Sequence, residues 1–414
     1  MSIVRPFKGL RPRPEYAGQV AAPPYDVLSS DEARAMAAGN PISFLHVNKP
    51  EIDFPPDQDP TAPAVYEAGR KNLQALVDRG VMCRDTSPCL YLYRLTWRGR
   101  SQTGLWALTS CDEYNRNLIK KHEHTRPAKV SDRADHMETL GAQVGPVFSC
   151  FRHNEEIRRL FDHVKKVPPM IDITTEQGVR HELWVISHRD TLDSLAAAFG
   201  RLPYLYIADG HHRSAAAAEV AGRRAAKNPH HSGDEHYNFF MNVIFPDDEL
   251  RILPYNRVVR SLNGMTLEEL FARAGDTFTF APSDAPVEPQ KPYEFGLYAA
   301  GRWYRMSARP GKVAAAGPAE AIDSAVLTRH FLTPYLGIKD IRTDDRIDFV
   351  GGIRGVNELE RLVDSGAFAI AFSLFPATVD QLLAVADAGE VMPPKSTWFE
   401  PKLRSGLVVN YLDE

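Results

Sequence analysis

Hydrophobic and polar positions change period several times along the chain, and each change marks an element. Tyr66, Leu73, Leu76 and Val77 fall on one helical face between Pro60 and Gly80, which predicts a helix. At 90–95 the text becomes a run of leucine and tyrosine, followed by Arg98-Gly99 and a second apolar run over 103–110, which predicts a hairpin. A helix near 155–163, a strand over 181–186 and an Asp190-capped helix ending at Gly200 come next. Leu205-Tyr206-Ile207-Ala208 reads as a buried strand. Asp209-Gly210 breaks it, and from Ser214 an alanine-rich run turns helical.

Beyond this corner, 239–246 and 251–259 read as strands, and Thr266 with Glu269 forms a capping box opening a helix that closes at Gly275. A proline-rich connection over 282–292 leads to a hairpin, 293–299 and 303–307, turning at Ala300-Gly301-Arg302. Residues 319–336 read mostly as helix, 369–375 as a buried strand and 379–388 as a helix. No internal repeat is found. The expected fold class is mixed α/β (α+β), in three parts: a Pro-rich and helical segment over 1–85, a catalytic core over 86–262 and a C-terminal α/β lobe over 263–414.

Composition narrows the class of function. With 414 residues, 43% hydrophobic and 25% charged, the chain reads as a soluble globular protein with room for two or three cores. No segment approaches a membrane span, and MSIVRPFKGLRPRP has no apolar stretch after its basic residues, so a cytoplasmic location is expected. The cysteines, Cys83, Cys89, Cys111 and Cys150, have no CxxC spacing and suit reduced structural thiols. A net charge of -4 gives no global field for polyanions, so duplex DNA is not an expected partner. Nothing fixes the oligomeric state.

The candidate chemistry gathers at the strand-to-helix corner. Unpaired N–H groups at a helix start, joined by His211, His212 and Arg213, form a phosphate-sized anion pocket, and Gly210 lets the backbone come close to a ligand. The bland alternative is a plain turn with solvated histidines. Upstream, the loop over 119–133 mixes Lys120, Lys121, His122, Glu123, His124, Thr125 and Arg126 with Lys129, Asp132 and Arg133. That mixture suits proton transfer beside a phosphate, and it equally suits a solvated charge run. Tyr25-Asp26, after Pro23-Pro24, is either a hydroxyl and carboxylate presented to a pocket or a stiff crossing. His230, His231 and His236 invite a metal, yet neither HExxH nor CxxC accompanies them, and no metal site is assigned. Lys395, Ser396 and Thr397, between rigid prolines, suit closure over an anionic ligand or simple packing.

Taken together, Pro23-Pro24-Tyr25-Asp26-Val27, His122-Glu123-x-Thr125 with Asp132-Arg133, Ala208-Asp209-Gly210-His211-His212-Arg213, and Pro393-Pro394-Lys395-Ser396-Thr397 resemble the bacterial and archaeal family known as domain of unknown function 1015. The resemblance spans nearly the whole chain and departs at Ala142-Gln143-Val144-Gly145-Pro146, where an Asn and a Ser are expected before the proline. It implies a ParB/sulfiredoxin-like core with N-terminal and C-terminal additions, similar at its His-His-Arg corner to free serine kinase. The function so implied is a small-molecule kinase moving phosphate from ATP or ADP, with Mg²⁺, to a free hydroxylated metabolite, serine first. Asp209, Gly210, His211, His212, Arg213, Thr125, Lys129 and Arg133 would then hold nucleotide phosphates, with waters and Asp209 on the metal. Glu123 would be the base, His211 or His212 would bond the transferred group, and Lys121 or Lys129 would balance charge. Tyr25, Asp26, Lys395, Ser396 and Thr397 would serve as substrate contacts or lid. A ParB-like nucleotide-binding protein without turnover and a metal-dependent hydrolase are the alternatives.

Overall fold

The computed structural model describes residues 2–413 and is mixed α/β, with several sheets and helices in two compact units. The first unit contains the chain up to Leu250 and the residues from Pro401 on; the second is Arg251–Glu400.

An eight-stranded mixed sheet organises the first unit. Its strands run, across the sheet, Ile119–Lys120, Leu205–Asp209, Val147–Phe151, Phe239–Pro246, Arg100–Ser110, Leu90–Trp97, Arg180–Ile186 and Ile171–Thr174. The hairpin Leu90–Trp97 to Arg100–Ser110 turns at Arg98 (φ 49°) and Gly99 (φ 73°), the left-handed pair that a two-residue turn needs. Phe239–Pro246 is buried along its whole length, as a central strand covered on both faces must be. The helix His211–Lys227 lays Ala216, Ala217 and Val220 on the sheet core beside Ile207 and Ile244. Alanine at these positions permits close approach of helix to sheet.

The first eighty-five residues build a core of their own in this unit, with Leu45, Val47, Leu73 and Leu76 packed against Leu140 and Val409. The expected helix starts at Pro63 rather than Pro60, because Pro63 supplies the N-terminal proline; Asp59 caps a turn at Thr61 instead. Tyr25–Val27, after Pro24, is a 3₁₀ turn. Residues near the C-terminus return here: Asn410–Tyr411 pairs with Ala142–Gln143, and Ser405 bridges Ala22.

Two local expectations change. Residues 127–140 are helix, Pro127–Leu140, so Lys129, Asp132 and Arg133 stand on a helix and not in a loop; Pro127 opens it, and Val130, Ala134 and Leu140 bury one face. Asp190 does not cap the helix Arg189–Gly200, whose N-cap is His188.

The second unit is a six-stranded sheet in the order Phe278–Ser283, Arg302–Ala308, Glu294–Ala299, Ile370–Leu374, Tyr255–Val259, Ile347–Gly351. Pro282 sits in an edge strand, where its missing N–H costs no ladder bond. Thr266 and Glu269 form the expected capping box. Residues 319–336 give two short α-helical pieces joined by a π turn, Thr328–Leu332, next to Pro334, which cannot donate an intrahelical bond. The strand Ile347–Gly351 and the helix Asn357–Asp364 carry no expectation from the sequence pattern.

Candidate functional site

Two corners meet at one end of the eight-stranded sheet because the strands leading into them run parallel. Leu205 and Tyr206 pair with Ile119 and Lys120 in parallel register. Their chains therefore leave the sheet on the same side, one into the charged segment 121–126 and the other into Asp209-Gly210. Each then starts a helix, Pro127–Leu140 and His211–Lys227. The Arg126 N–H at the start of the first donates to His212 Nε2 at the start of the second, 3.1 Å away. Two helix N-termini side by side concentrate unpaired N–H groups and positive dipole ends.

Gly210 makes the second corner possible. Its φ is +95°, in the left-handed region, and a Cβ there would lie 3.0 Å from the Arg213 guanidinium carbon. The guanidinium folds back under the turn because that space is empty. Arg213 is nearly buried. One nitrogen donates to the Pro146 carbonyl, and Nη2 faces Asp209 at 3.7 Å and Asp26 at 3.8 Å. Nε, also buried, has no hydrogen-bond partner among the described residues. Burial alone would push the Asp209 carboxyl up, but Lys402 and Arg213 overcome it and hold Asp209 well below the usual carboxylate range. Lys402 Nζ bonds Asp209 Oδ2 at 3.2 Å, while Asp209 Oδ1 accepts from Gly210 N–H.

His122, His211 and His212 are held toward the neutral form. Burial lowers His122 to about 4 and takes His211 well below its ordinary value; burial and the Lys129 ammonium lower His212 as well. His211 Nε2 accepts from the His122 N–H at 3.4 Å, which assigns its proton to Nδ1, and Nδ1 faces Glu123 Oε2 at 3.5 Å. By the same logic His212, accepting at Nε2, carries its proton on Nδ1. Glu123 keeps a half-exposed side chain beside this buried pair. A carboxylate facing outward next to an oriented imidazole can take a proton from a bound hydroxyl.

Beside Arg213 lies a small cavity of about 40 Å³, lined by Tyr25, Asn48, Arg133, Gln143, Phe240 and Ser405 among others. Arg133 stacks its guanidinium over Tyr25 at 4.4 Å and pairs with Asp132 at 2.9 Å. Burial, then Asp26, pushes the Tyr25 phenol up to about 12, so it stays a donor at neutral pH. Asn48 donates to the Pro23 carbonyl, and its buried Oδ1 has no partner among the described residues. The segment 142–146, where the family pattern is broken, supplies part of the cavity wall and the carbonyl that holds Arg213.

The structure thus brings Tyr25, Asp26, Glu123, Arg133, Asp209, Gly210, His211, His212 and Arg213 together within the first unit. Thr125 is half-buried and Lys129 exposed, the latter close enough to His212 to depress its proton affinity. Lys121 turns elsewhere: Nζ donates to the Tyr114 carbonyl and rests 4.2 Å from the Tyr114 ring centroid. Lys395, Ser396 and Thr397 belong to the second unit, where Ser396 bonds Ser324 and the Pro393 carbonyl. His231 bonds Tyr237 and pairs with Glu235, and among the described residues no group of three His, Cys, Asp or Glu side chains is placed to hold a metal ion. Asn48, Lys402 and the Pro146 carbonyl are the contributors that sequence reasoning missed. No local pattern marks Asn48 or Lys402 as a contributor, and the broken family pattern at 142–146 marks the Pro146 segment without saying that it holds Arg213, because each reaches the corner only through the fold.

The chain belongs to the family described as protein of unknown function (DUF1015), whose model matches residues 4–326. No curated protein matches it. Among solved structures it is similar to a free serine kinase variant in complex with AMP, at 13% identity over 71% of this chain and 87% of that one, with a TM-score of 0.36. A conserved hypothetical protein from Pyrococcus furiosus shares 13% identity over 74% of this chain and 95% of its own, with a TM-score of 0.35. SbnI with C-terminal truncation from Staphylococcus aureus shares 10% over 72% and 85%, with a TM-score of 0.36. No helix among the described residues is long and apolar enough to cross a membrane.

Proposed function

We propose that this DUF1015 member is a phosphotransferase that binds ATP or ADP at the Gly210–Arg213 corner and phosphorylates a free hydroxylated metabolite. The observation that carries the reading is the buried Arg213 guanidinium, its Nε unpartnered among the described residues, at a helix start with the Glu123–His211 pair beside it. Arg213, the two helix starts and His212 would hold and neutralise the donor phosphates, which is most of what phosphoryl transfer asks of a protein. The acceptor oxygen would attack the terminal phosphorus, the bond from that phosphorus to the bridging oxygen of the nucleotide would break, and the hydroxyl proton would pass to Glu123. His211, with its proton on Nδ1, would orient that carboxylate.

Mg²⁺ fits this site only as an ion carried mainly by the phosphates. Asp209, the carboxylate expected for it, has its oxygens engaged by Gly210, Lys402 and Arg213. Asp26, held to Arg213 at a looser 3.8 Å, is the better placed carboxylate. Serine is the first acceptor to test, as the resemblance carried by Ala208-Asp209-Gly210-His211-His212-Arg213 implies.

The test is calorimetry with ATP and ADP, followed by mass analysis of product from a panel of free serine, threonine, homoserine and small polyols. Arg213→Ala should weaken nucleotide binding by about 1.5–3 kcal/mol, the worth of a charged hydrogen bond. Glu123→Gln should leave that affinity intact and lower turnover about a hundredfold or more. Equal nucleotide affinity in wild type and Arg213→Ala would remove Arg213 from the site. Tight nucleotide binding with no acceptor phosphorylated would replace the kinase reading with a nucleotide-gated binder.

A further inference from the structure

The second unit buries an arginine with no carboxylate to answer it among the described residues. Arg257, in the strand Tyr255–Val259, is fully buried; one nitrogen donates to the Tyr255 carbonyl, while Nε and Nη2 have no hydrogen-bond partner among the described residues. Its cross-strand partners are Phe349 and Phe372, and its guanidinium carbon lies 5.0 Å from the Phe349 ring centroid. Burial lowers its proton affinity to about 9, still a cation at neutral pH. A ring face offsets part of the desolvation of a cation and satisfies neither N–H.

The two unpartnered nitrogens are a matched pair. Nε and Nη2 form one edge of the guanidinium, with parallel N–H bonds spaced for two oxygens of one carboxylate or phosphate. Elsewhere in this protein that edge is used in just this way: Arg94 gives Nε and Nη2 to the two oxygens of Glu182, at 2.6 and 2.5 Å, and Arg180 gives them to Asp172, at 2.8 and 2.6 Å. Arg70 with Glu67 and Arg361 with Glu358 repeat the arrangement. Arg257 offers the same edge to no described residue. A second cation attends the same tyrosine, since exposed Lys395 places Nζ 5.5 Å from the Tyr255 ring centroid. Lys395 has φ +59°, left-handed for a residue with a Cβ, in a stretch with neither helix nor strand between Asp387 and Trp398.

We propose that the second unit holds its own oxyanion site, in which Nε and Nη2 of Arg257 take two oxygens of a phosphoryl or carboxylate group and Lys395 supplies a further positive charge. The Pro393-Pro394-Lys395-Ser396-Thr397 segment then has a role within its own unit: through Lys395 it adds positive charge on the Tyr255 side of that site. This site is built from residues of the second unit alone and stands whether or not the corner of the first unit transfers phosphate.

Calorimetric titration of the full chain with inorganic phosphate, and separately with succinate, tests it. Arg257→Met replaces the guanidinium with an apolar side chain that fills part of its space. One binding step present in wild type and in Arg213→Ala should weaken about tenfold or more in Arg257→Met, the scale of one lost charged hydrogen bond. Whichever titrant shows that step identifies the oxyanion as phosphate or carboxylate. Lys395→Gln, an exposed change that leaves folding intact, should weaken the same step about threefold and flatten its salt dependence. Should Arg257→Met fail to fold, the Lys395→Gln result decides. Unchanged binding of both titrants in the folded variants, or a wild type with no step beyond the one removed by Arg213→Ala, overturns the site.

Discussion

Each unit buries one arginine in the same posture, and the surroundings make them opposites. Arg213 and Arg257 each donate one nitrogen to a main-chain carbonyl, of Pro146 and of Tyr255, and each leaves a buried Nε without a partner among the described residues. Around Arg213 stand Asp26, Asp209 and Tyr25. Burial works against its charge, but Asp26 and Asp209 prevail and raise its proton affinity. Around Arg257 stand aromatic rings, and burial prevails. Burial alone therefore does not define an anion site. In the first unit the counter-charge is built in but held at 3.7–3.8 Å, loose enough for an incoming oxyanion to compete; in the second the counter-charge has to come from outside.

The largest expected difference between the units is their response to acid. Burial holds His122 at about 4 and His136 and His181 at about 3, all in the first unit. As pH falls through 6.5 the unfolded chain takes up protons that these folded histidines refuse. The stability present above 6.5 is then lost, by about 2 kcal/mol for each histidine at pH 5. In the second unit burial raises the Asp323 carboxyl to about 7. That group binds its proton more tightly folded than unfolded, so its contribution is full below about 4, is lost as pH rises to 7, and returns about 2 kcal/mol between pH 7 and 5. Hydrogen exchange of the intact chain at pH 7 and 5, referred to intrinsic rates, should show protection falling over 90–246 and holding or rising over 255–374. Equal loss in both regions would break the comparison.

Next in size is the arginine pair itself. Arg213→Met takes a buried cation away from exposed Asp26 and from partly shielded Asp209, which keeps Lys402, and should cost about 2 kcal/mol in urea unfolding of the free protein. Arg257→Met removes a buried charge with no counter-charge among the described residues and should be neutral or stabilising by about 1 kcal/mol. Opposite signs sharpen the comparison; a matching loss at Arg257 would mean that it is paired inside its own unit.

How much of this was legible in the sequence depends on how far apart the partners lie. The strand Leu205–Asp209, the break at Gly210 and the hairpin at Arg98-Gly99 are local patterns, and the sequence reading holds them almost residue for residue. The Glu123–His211 approach, across eighty-eight positions, depends on parallel pairing of a two-residue strand, Ile119–Lys120, too short to leave a period. The helix Pro127–Leu140 was hidden under its charged face, because ionisable residues at 129, 132 and 133 outweighed the apolar stripe at 130, 134 and 140. Arg257 was read only as part of a strand. Nothing in its neighbours along the chain says that the side chain is inside.

The smallest effect expected concerns what keeps the built-in counter-charge of the first unit in place. Lys402 Nζ lies 3.2 Å from Asp209 Oδ2, and both side chains are mostly shielded. At an effective dielectric of about 20 that separation corresponds to about 5 kcal/mol of direct attraction. Desolvation and the ordering of the long side chain offset most of it, and Arg213 still faces the same oxygen. Lys402→Met should therefore cost only about 1 kcal/mol at pH 7. Among the cations that hold Asp209 down, Lys402 acts most strongly, so its removal brings the folded carboxyl nearer its unfolded value of 3.8. The stability that the depressed carboxyl contributes is present above 3.8 and lost as pH falls through its folded value. A cost of about 1 kcal/mol moves the folded carboxyl up by less than about one pH unit, so it stays well below the usual range and a gap near 1 kcal/mol in urea unfolding should persist from pH 7 to pH 4, while an NMR titration of the Asp209 carboxyl should show its folded value raised in the variant. A gap with no rise in that value would show Lys402 acting through the packing of its methylene stem, and would leave Arg213 as the charge that keeps Asp209 ionised.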